Sequence, residues 1–163
     1  MRRQDLYASP ADAARVVPVD IRRMRVARGP QRGRAIPGGA VDVLLANDVL
    51  EHFPHREVPA ILANWARVLR PGTGVLKMRV PSLREQCRAL ADGFWSADTA
   101  SYWIFGGQRN AGDFHTAGFT RESLAAHLAA VGLTVVHFDE PRLPYDAKSA
   151  FLYRWMTVTA RKL

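Results

Sequence analysis

The sequence is short of cysteine, of lysine and of long apolar runs. Its one cysteine, Cys87, cannot close an internal disulfide, which excludes a crosslinked mini-scaffold and fits a reducing, cytoplasmic setting. The longest apolar runs, such as Val43 to Ala46, fall far short of the ~20 residues that a membrane-spanning helix needs. Met1-Arg2-Arg3 opens the chain, but Asp5 and Asp12 interrupt the next residues, so no apolar core of a signal peptide forms. Several motifs are missing too. There is no G-x-x-x-x-G-K-[ST] phosphate loop, no G-x-S-x-G elbow, no H-E-x-x-H zinc helix and no G-x-G-x-x-G. The two close glycines of Pro71-Gly72-Thr73-Gly74 precede a strand pattern instead of coming after one.

What is present is an ordinary globular chain of 163 residues, 48% apolar and 23% charged, of single-domain length. Of the net charge of +8, residues 1–39 carry +6, from nine arginines against three aspartates. Twenty arginines stand against three lysines, a skew that GC-rich coding produces. An arginine-rich arm attracts phosphates, but no aromatic is interleaved with Arg22, Arg23, Arg25, Arg28, Arg32 and Arg34, so base stacking has no platform there. Nucleic acid is therefore not the expected partner, and no membrane association is expected.

The patterning divides the chain into two regions: an arginine-rich segment 1–39 with one strand, and an α/β domain 40–163. Val16 to Ile21 is a short β-rich run whose Pro18 suits an edge. Val41-Asp42-Val43-Leu44-Leu45-Ala46 has the pattern of a strand buried on both faces of a parallel sheet. Val58, Ile61, Leu62, Trp65, Val68 and Leu69 form one helical stripe within 56–69, stopped by Pro71-Gly72. A strand is expected at 75–80. A helix comes next, with Ser82 and Glu85 at capping-box spacing and Leu83, Cys87 and Leu90 as its apolar side. Residues 93–119 read as a long aromatic insertion without periodicity, then a helix at 120–131, a strand at 135–138, a loop at 139–150 and a last strand at 152–160. Strand–helix alternation implies a mostly parallel sheet, whose ligands bind at the carboxyl ends of the strands.

That rule points first to Asn47-Asp48-Val49-Leu50-Glu51-His52. A carboxylate and an imidazole there suit proton transfer, although Asp48 equally suits a turn and His52 equally suits packing. Glu51, His52 and His55 have metal-binding side chains, but Pro54 keeps the two histidines off one helical face, so no metal is expected. Gly106-Gly107-Gln108 and Gly112-Asp113-Phe114-His115 bracket the insertion, placing polar groups on a lid over the strand-end pocket or merely bracing a surface loop. His127 and His137 read as structural, and Cys87 as a small apolar side chain.

Asp42-Val43-Leu44-Leu45-Ala46-Asn47-Asp48-Val49-Leu50-Glu51-His52 and Arg67-Val68-Leu69-Arg70-Pro71-Gly72 resemble the fourth-strand motif and later turn of class I S-adenosylmethionine-dependent methyltransferases. His115-x-x-Gly118-Phe119-Thr120, with Leu124, Leu128 and Gly132, is similar to a further segment of that family. The resemblance covers about 40–163. It implies a Rossmann-like sheet, mostly parallel with an antiparallel last strand. It also implies S-adenosylmethionine as cofactor, held toward Asp20, Asn47 and Val49.

By the same resemblance, Asp48, His52 and His115 stand at the reacting centre, with Gln108, Arg109 and Asp113 toward a small-molecule or glycan-type substrate. Val17-Pro18-Val19-Asp20-Ile21 is similar to the family's second strand, with nothing ahead of it to serve as the first strand and its glycine turn. A sheet so shortened exposes the edge of the strand at 41–46, to be covered by Val16 to Ile21, by a second copy in a homodimer or by a partner chain. The loss of the turn also favours an alternative, a cofactor-free cyclase or isomerase, or a partner-binding subunit, on the same fold.

Overall fold

The structure, a computed structural model, describes residues 15–18, 36–140 and 155–163. The expectations placed on Asp20, on most of the arginine arm, on residues 141–150 and on the start of the last strand lie outside the described residues.

Five strands form one sheet in the order β1-β2-β3-β5-β4: β1 Val16–Pro18, β2 Val43–Asn47, β3 Val75–Pro81, β4 Leu133–Asp139 and β5 Trp155–Lys162. β1, β2 and β3 run parallel, and β5 is antiparallel to both β3 and β4. Helices α1 Val58–Val68, α2 Leu83–Ala91, α3 Ala97–Phe105 and α4 Arg121–Ala130 complete the described fold, with short 3-10 turns at Leu50–His52 and His55–Glu57.

β2 buries Leu44 and Ala46 on one face and leaves Val43 and Leu45 half-buried on the other. The expectation of burial on both faces thus holds for one face only. The stripe of α1 buries Val58, Leu62, Trp65 and Val68, and these meet Leu124 and Leu128 of α4 in one core with Leu76, Met78 and Met156 of the sheet. Each such side chain contributes about 1.5–3 kcal/mol of burial. Thr120 caps α4, its Oγ1 accepting from Ser123 N at 3.3 Å while Ser123 Oγ accepts from Thr120 N at 3.0 Å.

Three expectations are corrected. Residues 93–119 are not without regular structure: α3 occupies 97–105, capped by Ser96 Oγ accepting from Thr99 N at 3.2 Å. Its apolar residues do not fall in one stripe; Trp103 and Ile104 instead pack with Trp95, Ala89 and Ala100 into a second, smaller cluster. Helix α2 buries Glu85, Gln86 and Ala89, while Cys87 and Leu90 are exposed. The face turned toward α3 is chosen by tertiary contacts such as Gln86 Nε2 donating to Trp103 O at 3.1 Å, against the hydropathy pattern. Finally, the run that resembles a second strand lies directly beside β2, with Val16, Val17 and Pro18 opposite Val43, Leu44 and Leu45. It takes the seat next to β2 that the family's first strand would fill. Asp42 clamps this seam, its carboxylate accepting from Arg15 N at 2.9 Å and from Arg70 Nε at 2.6 Å.

Candidate active site

At the carboxyl ends of β2 and β3 lies a cleft of about 220 Å³ lined by Asp48, Glu51, His52, Pro81, Gln86, Trp95, Trp103, Asp113, His115 and Trp155. Chain direction explains its position, because parallel strands release their loops at one edge of the sheet. β2 ends at Asn47, and Asp48 then adopts φ 55°, a left-handed backbone that costs a residue with a Cβ about 1 kcal/mol and that Asp tolerates better than most. Its N–H donates to Arg79 O at 2.9 Å, so the turn is held by β3. Its carboxylate receives Arg79 Nε at 3.0 Å on one oxygen and Arg79 Nη2 on the other. The guanidinium in turn lies 4.5 Å from the centre of the Trp155 ring.

The 3-10 turn then buries Glu51 and His52. Glu51 carries the link between this turn and the insertion: its carbonyl accepts Thr116 N at 2.7 Å and Ala117 N at 3.1 Å. Downstream, Phe119 is fully buried, and its carbonyl accepts Leu83 N at 2.9 Å. These anchors set His115 against His52, ring centres 4.9 Å apart and edge to face. His52 Nδ1 lies 2.9 Å from Phe114 O, and His115 Nδ1 lies 3.1 Å from Trp103 O. A carbonyl can only accept, so in each neutral ring Nδ1 carries the proton and Nε2 carries the lone pair.

The electrostatics of the three groups differ. Burial pushes the Glu51 carboxyl up to about 8, and Asp48 adds to the shift. One of its oxygens, Oε2, is buried without a hydrogen-bond partner. Burial, and after it the neighbouring His52, lowers His115 from the ordinary histidine value, favouring its neutral form. Asp113 is held below the usual carboxylate range chiefly by Arg109, whose Nε donates to it at 2.8 Å.

Among the expected site residues, Asp48, His52, Asp113 and His115 therefore meet at one cleft. Gln108 and Arg109 stand on the exposed loop beside it, with Arg109 tied to Asp113. Asn47 is exposed at the end of β2, and Val49 is buried in the core beneath the turn. His55 is not in this group; its ring pairs with His127, 5.8 Å between centres. Sequence reasoning considered Glu51 only beside His52 and His55, and it did not single out Trp95, Trp103 and Trp155 as cleft walls. Glu51 had a signal in its place between Leu50 and His52, whereas the tryptophans come from three separate elements.

Residues 8–76 match the family model of a methyltransferase domain. No curated protein sequence matches the chain. Among solved structures, it is similar to an S-adenosylmethionine-dependent methyltransferase from Mesorhizobium loti, at 17% identity over 83% of this chain and 73% of that one, with a TM-score of 0.53. It is also similar to one from Methanosarcina mazei, at 16% identity over 80% of this chain and 63% of that one, with a TM-score of 0.52. A complex between a Haloferax volcanii methyltransferase activator and a methyltransferase matches at 13% identity over 80% of this chain and 57% of that one, with a TM-score of 0.53. The chain spans less than half the length of several further solved methyltransferases. Strand order and structural likeness show a class I methyltransferase-like, Rossmann-like fold, and part of the chain matches the methyltransferase domain model.

Proposed function

We propose that this chain transfers a methyl group from S-adenosylmethionine to a small polar acceptor, a small molecule or glycan-type metabolite, bound in the strand-end cleft. The observation that carries this reading is the meeting of Glu51, His52 and His115 with three tryptophans at the ends of β2 and β3. When bound, the cofactor supplies an electrophilic methyl on a sulfonium cation. Trp95 and Trp103 offer aromatic rings to such a cation, while the ring of Trp155 already carries Arg79. Asp48 and the exposed end of β2 at Asn47 would hold its reactive end.

The chain's own work is alignment and proton handling. The lone pair on Nε2 of His52 or His115 takes the acceptor's proton, while each Nδ1–H stays on its carbonyl and fixes the ring. Arg79 keeps Asp48 in its left-handed turn, and Arg109 keeps Asp113 at the rim. The tryptophans exclude water from the acceptor.

Calorimetric titration with S-adenosylmethionine and S-adenosylhomocysteine tests this reading. The expected dissociation constant is about 0.1 mM or poorer, each tenfold loss costing ~1.4 kcal/mol. Silence at millimolar ligand would overturn the reading in favour of the cofactor-free alternative, a cyclase or isomerase, which the seating of β1 directly beside β2 supports.

A further inference from the structure

The buried end of the cleft carries a donor set that proton transfer alone does not require. One carboxylate oxygen of Glu51 and one ring nitrogen each of His52 and His115 lie within 4.8 Å of one another. We infer that Glu51, His52 and His115 form a binding site for one divalent first-row transition ion, open toward the cleft.

Three observations converge on this. First, both imidazoles have Nδ1 on a backbone carbonyl, Phe114 O and Trp103 O, which is the support that orients a ligating histidine. Second, Glu51 is only 2% exposed, lines the cleft and keeps Oε2 without a hydrogen-bond partner, a costly arrangement that a cation would relieve. Third, the other two carboxylates of the cleft are committed to arginines, Asp48 to Arg79 and Asp113 to Arg109, so the ion would have three protein ligands and open positions facing the cleft. Ligand atoms around such an ion stand about 3–4 Å apart at bond lengths of about 2.1 Å, so closure asks for about 1 Å of side-chain movement. Two imidazoles and one carboxylate suit iron(II), manganese(II), cobalt(II) or zinc(II), and suit magnesium poorly.

The site stands on geometry alone. Its consequence for the acceptor rests on the methyl-transfer reading: open positions on the ion would hold an acceptor hydroxyl flanked by a second oxygen. A hydroxyl so bound releases its proton more readily, and the ion would then replace the imidazoles in that role.

The test titrates the untagged 163-residue chain with cobalt(II), monitored by its visible absorption and by calorimetry. The expected result is one cobalt per chain, with Glu51→Gln and His115→Ala each weakening binding by about 100-fold or more. His127→Ala, which removes the other histidine pair, should bind as the parent does. Glu51→Gln keeps size and shape, so it remains informative if His115→Ala unfolds. Failure of the parent to saturate at 1 mM cobalt, or unchanged affinity in Glu51→Gln, would overturn the proposal. S-adenosylhomocysteine titration of the same samples separates the two readings: cobalt binding without S-adenosylhomocysteine binding sinks methyl transfer and leaves the metal site standing, and the reverse result sinks the metal site alone.

Discussion

Glu51 is the side chain whose surroundings differ most from water, and they give it a measurable pH signature. Its carboxyl rises from 4.5 to about 8, with His52, His115, Asp48 and Arg79 the ionisable groups nearest it. Between those two values the unfolded chain has lost the Glu51 proton and the folded chain keeps it. The folded state thus binds more protons, and stability falls as pH rises through that window. In the presence of a chelator, the melting temperature of the parent should decline from about pH 5 to pH 8 more steeply than that of Glu51→Gln. Equal slopes would show that Glu51 is solvated. At the same scale, Asp48→Asn, His52→Ala and His115→Ala should each lower methyl transfer at least about tenfold, equivalent to ~1.4 kcal/mol of barrier. Asp48→Asn should melt within a few degrees of the parent, because Asp48 is partly exposed, whereas His52→Ala empties a buried position and should melt lower. Full activity in all three would place the reacting centre elsewhere.

Elements deliver these side chains through two junctions. Gly106 ends α3 at φ 82°, and a Cβ there would meet Asp113 O at 2.1 Å and His115 N at 2.9 Å. The insertion therefore folds back on α3 only because that position has no side chain, and His115 N can then donate to Phe105 O at 2.9 Å. Gly93 has a similar φ of 75° with nothing within 4 Å of its Cβ. Gly93→Ala should consequently lose only about 1 kcal/mol, from backbone strain. Gly106→Ala should lose several times more and also lose activity, and calorimetric melting of the two variants separates clash from strain. The second junction is Ser82, which caps α2 by accepting Glu85 N at 3.2 Å and also bonds Glu140. Ser82→Ala should destabilise by about 1–2 kcal/mol on the cap alone, seen as a lower urea midpoint.

Over the whole molecule, the question is what covers the edge of β2. Val17 of β1 packs against the main core, opposite Leu44, which answers it for Val43 to Leu45. A three-residue strand adds little pairing free energy, so the apolar contact of Val17 carries much of the seam. Val17→Asp should lower the melting temperature by a few degrees and raise the light-scattering mass with concentration, as the edge of β2 seeks another strand. An unchanged monomeric mass would show that other residues protect that edge.

Elements whose signals are local were legible in the amino-acid order. The stripe of α1, the Ser82 cap of α2, the Pro71-Gly72 stop and the apolar run of β2 each report on residues within a turn or two of one another. Asp48 and His52 were legible as well, because a strand's carboxyl end is set by chain direction alone. Long-range packing settled the remainder. α3 lacks a single apolar stripe and owes its place to a second cluster of tryptophans, and α2 turns Glu85 and Gln86 inward, Gln86 toward Trp103 O. His52 meets Phe114, 62 positions away, because two N–H groups of the insertion bond the Glu51 carbonyl and Phe119 is sealed in the core. Such contacts depend on closing long loops, whose cost and reward appear only once the whole sheet has formed. For that reason the pairing of His115 with His52 and Glu51, in place of His55, had no counterpart in the local pattern.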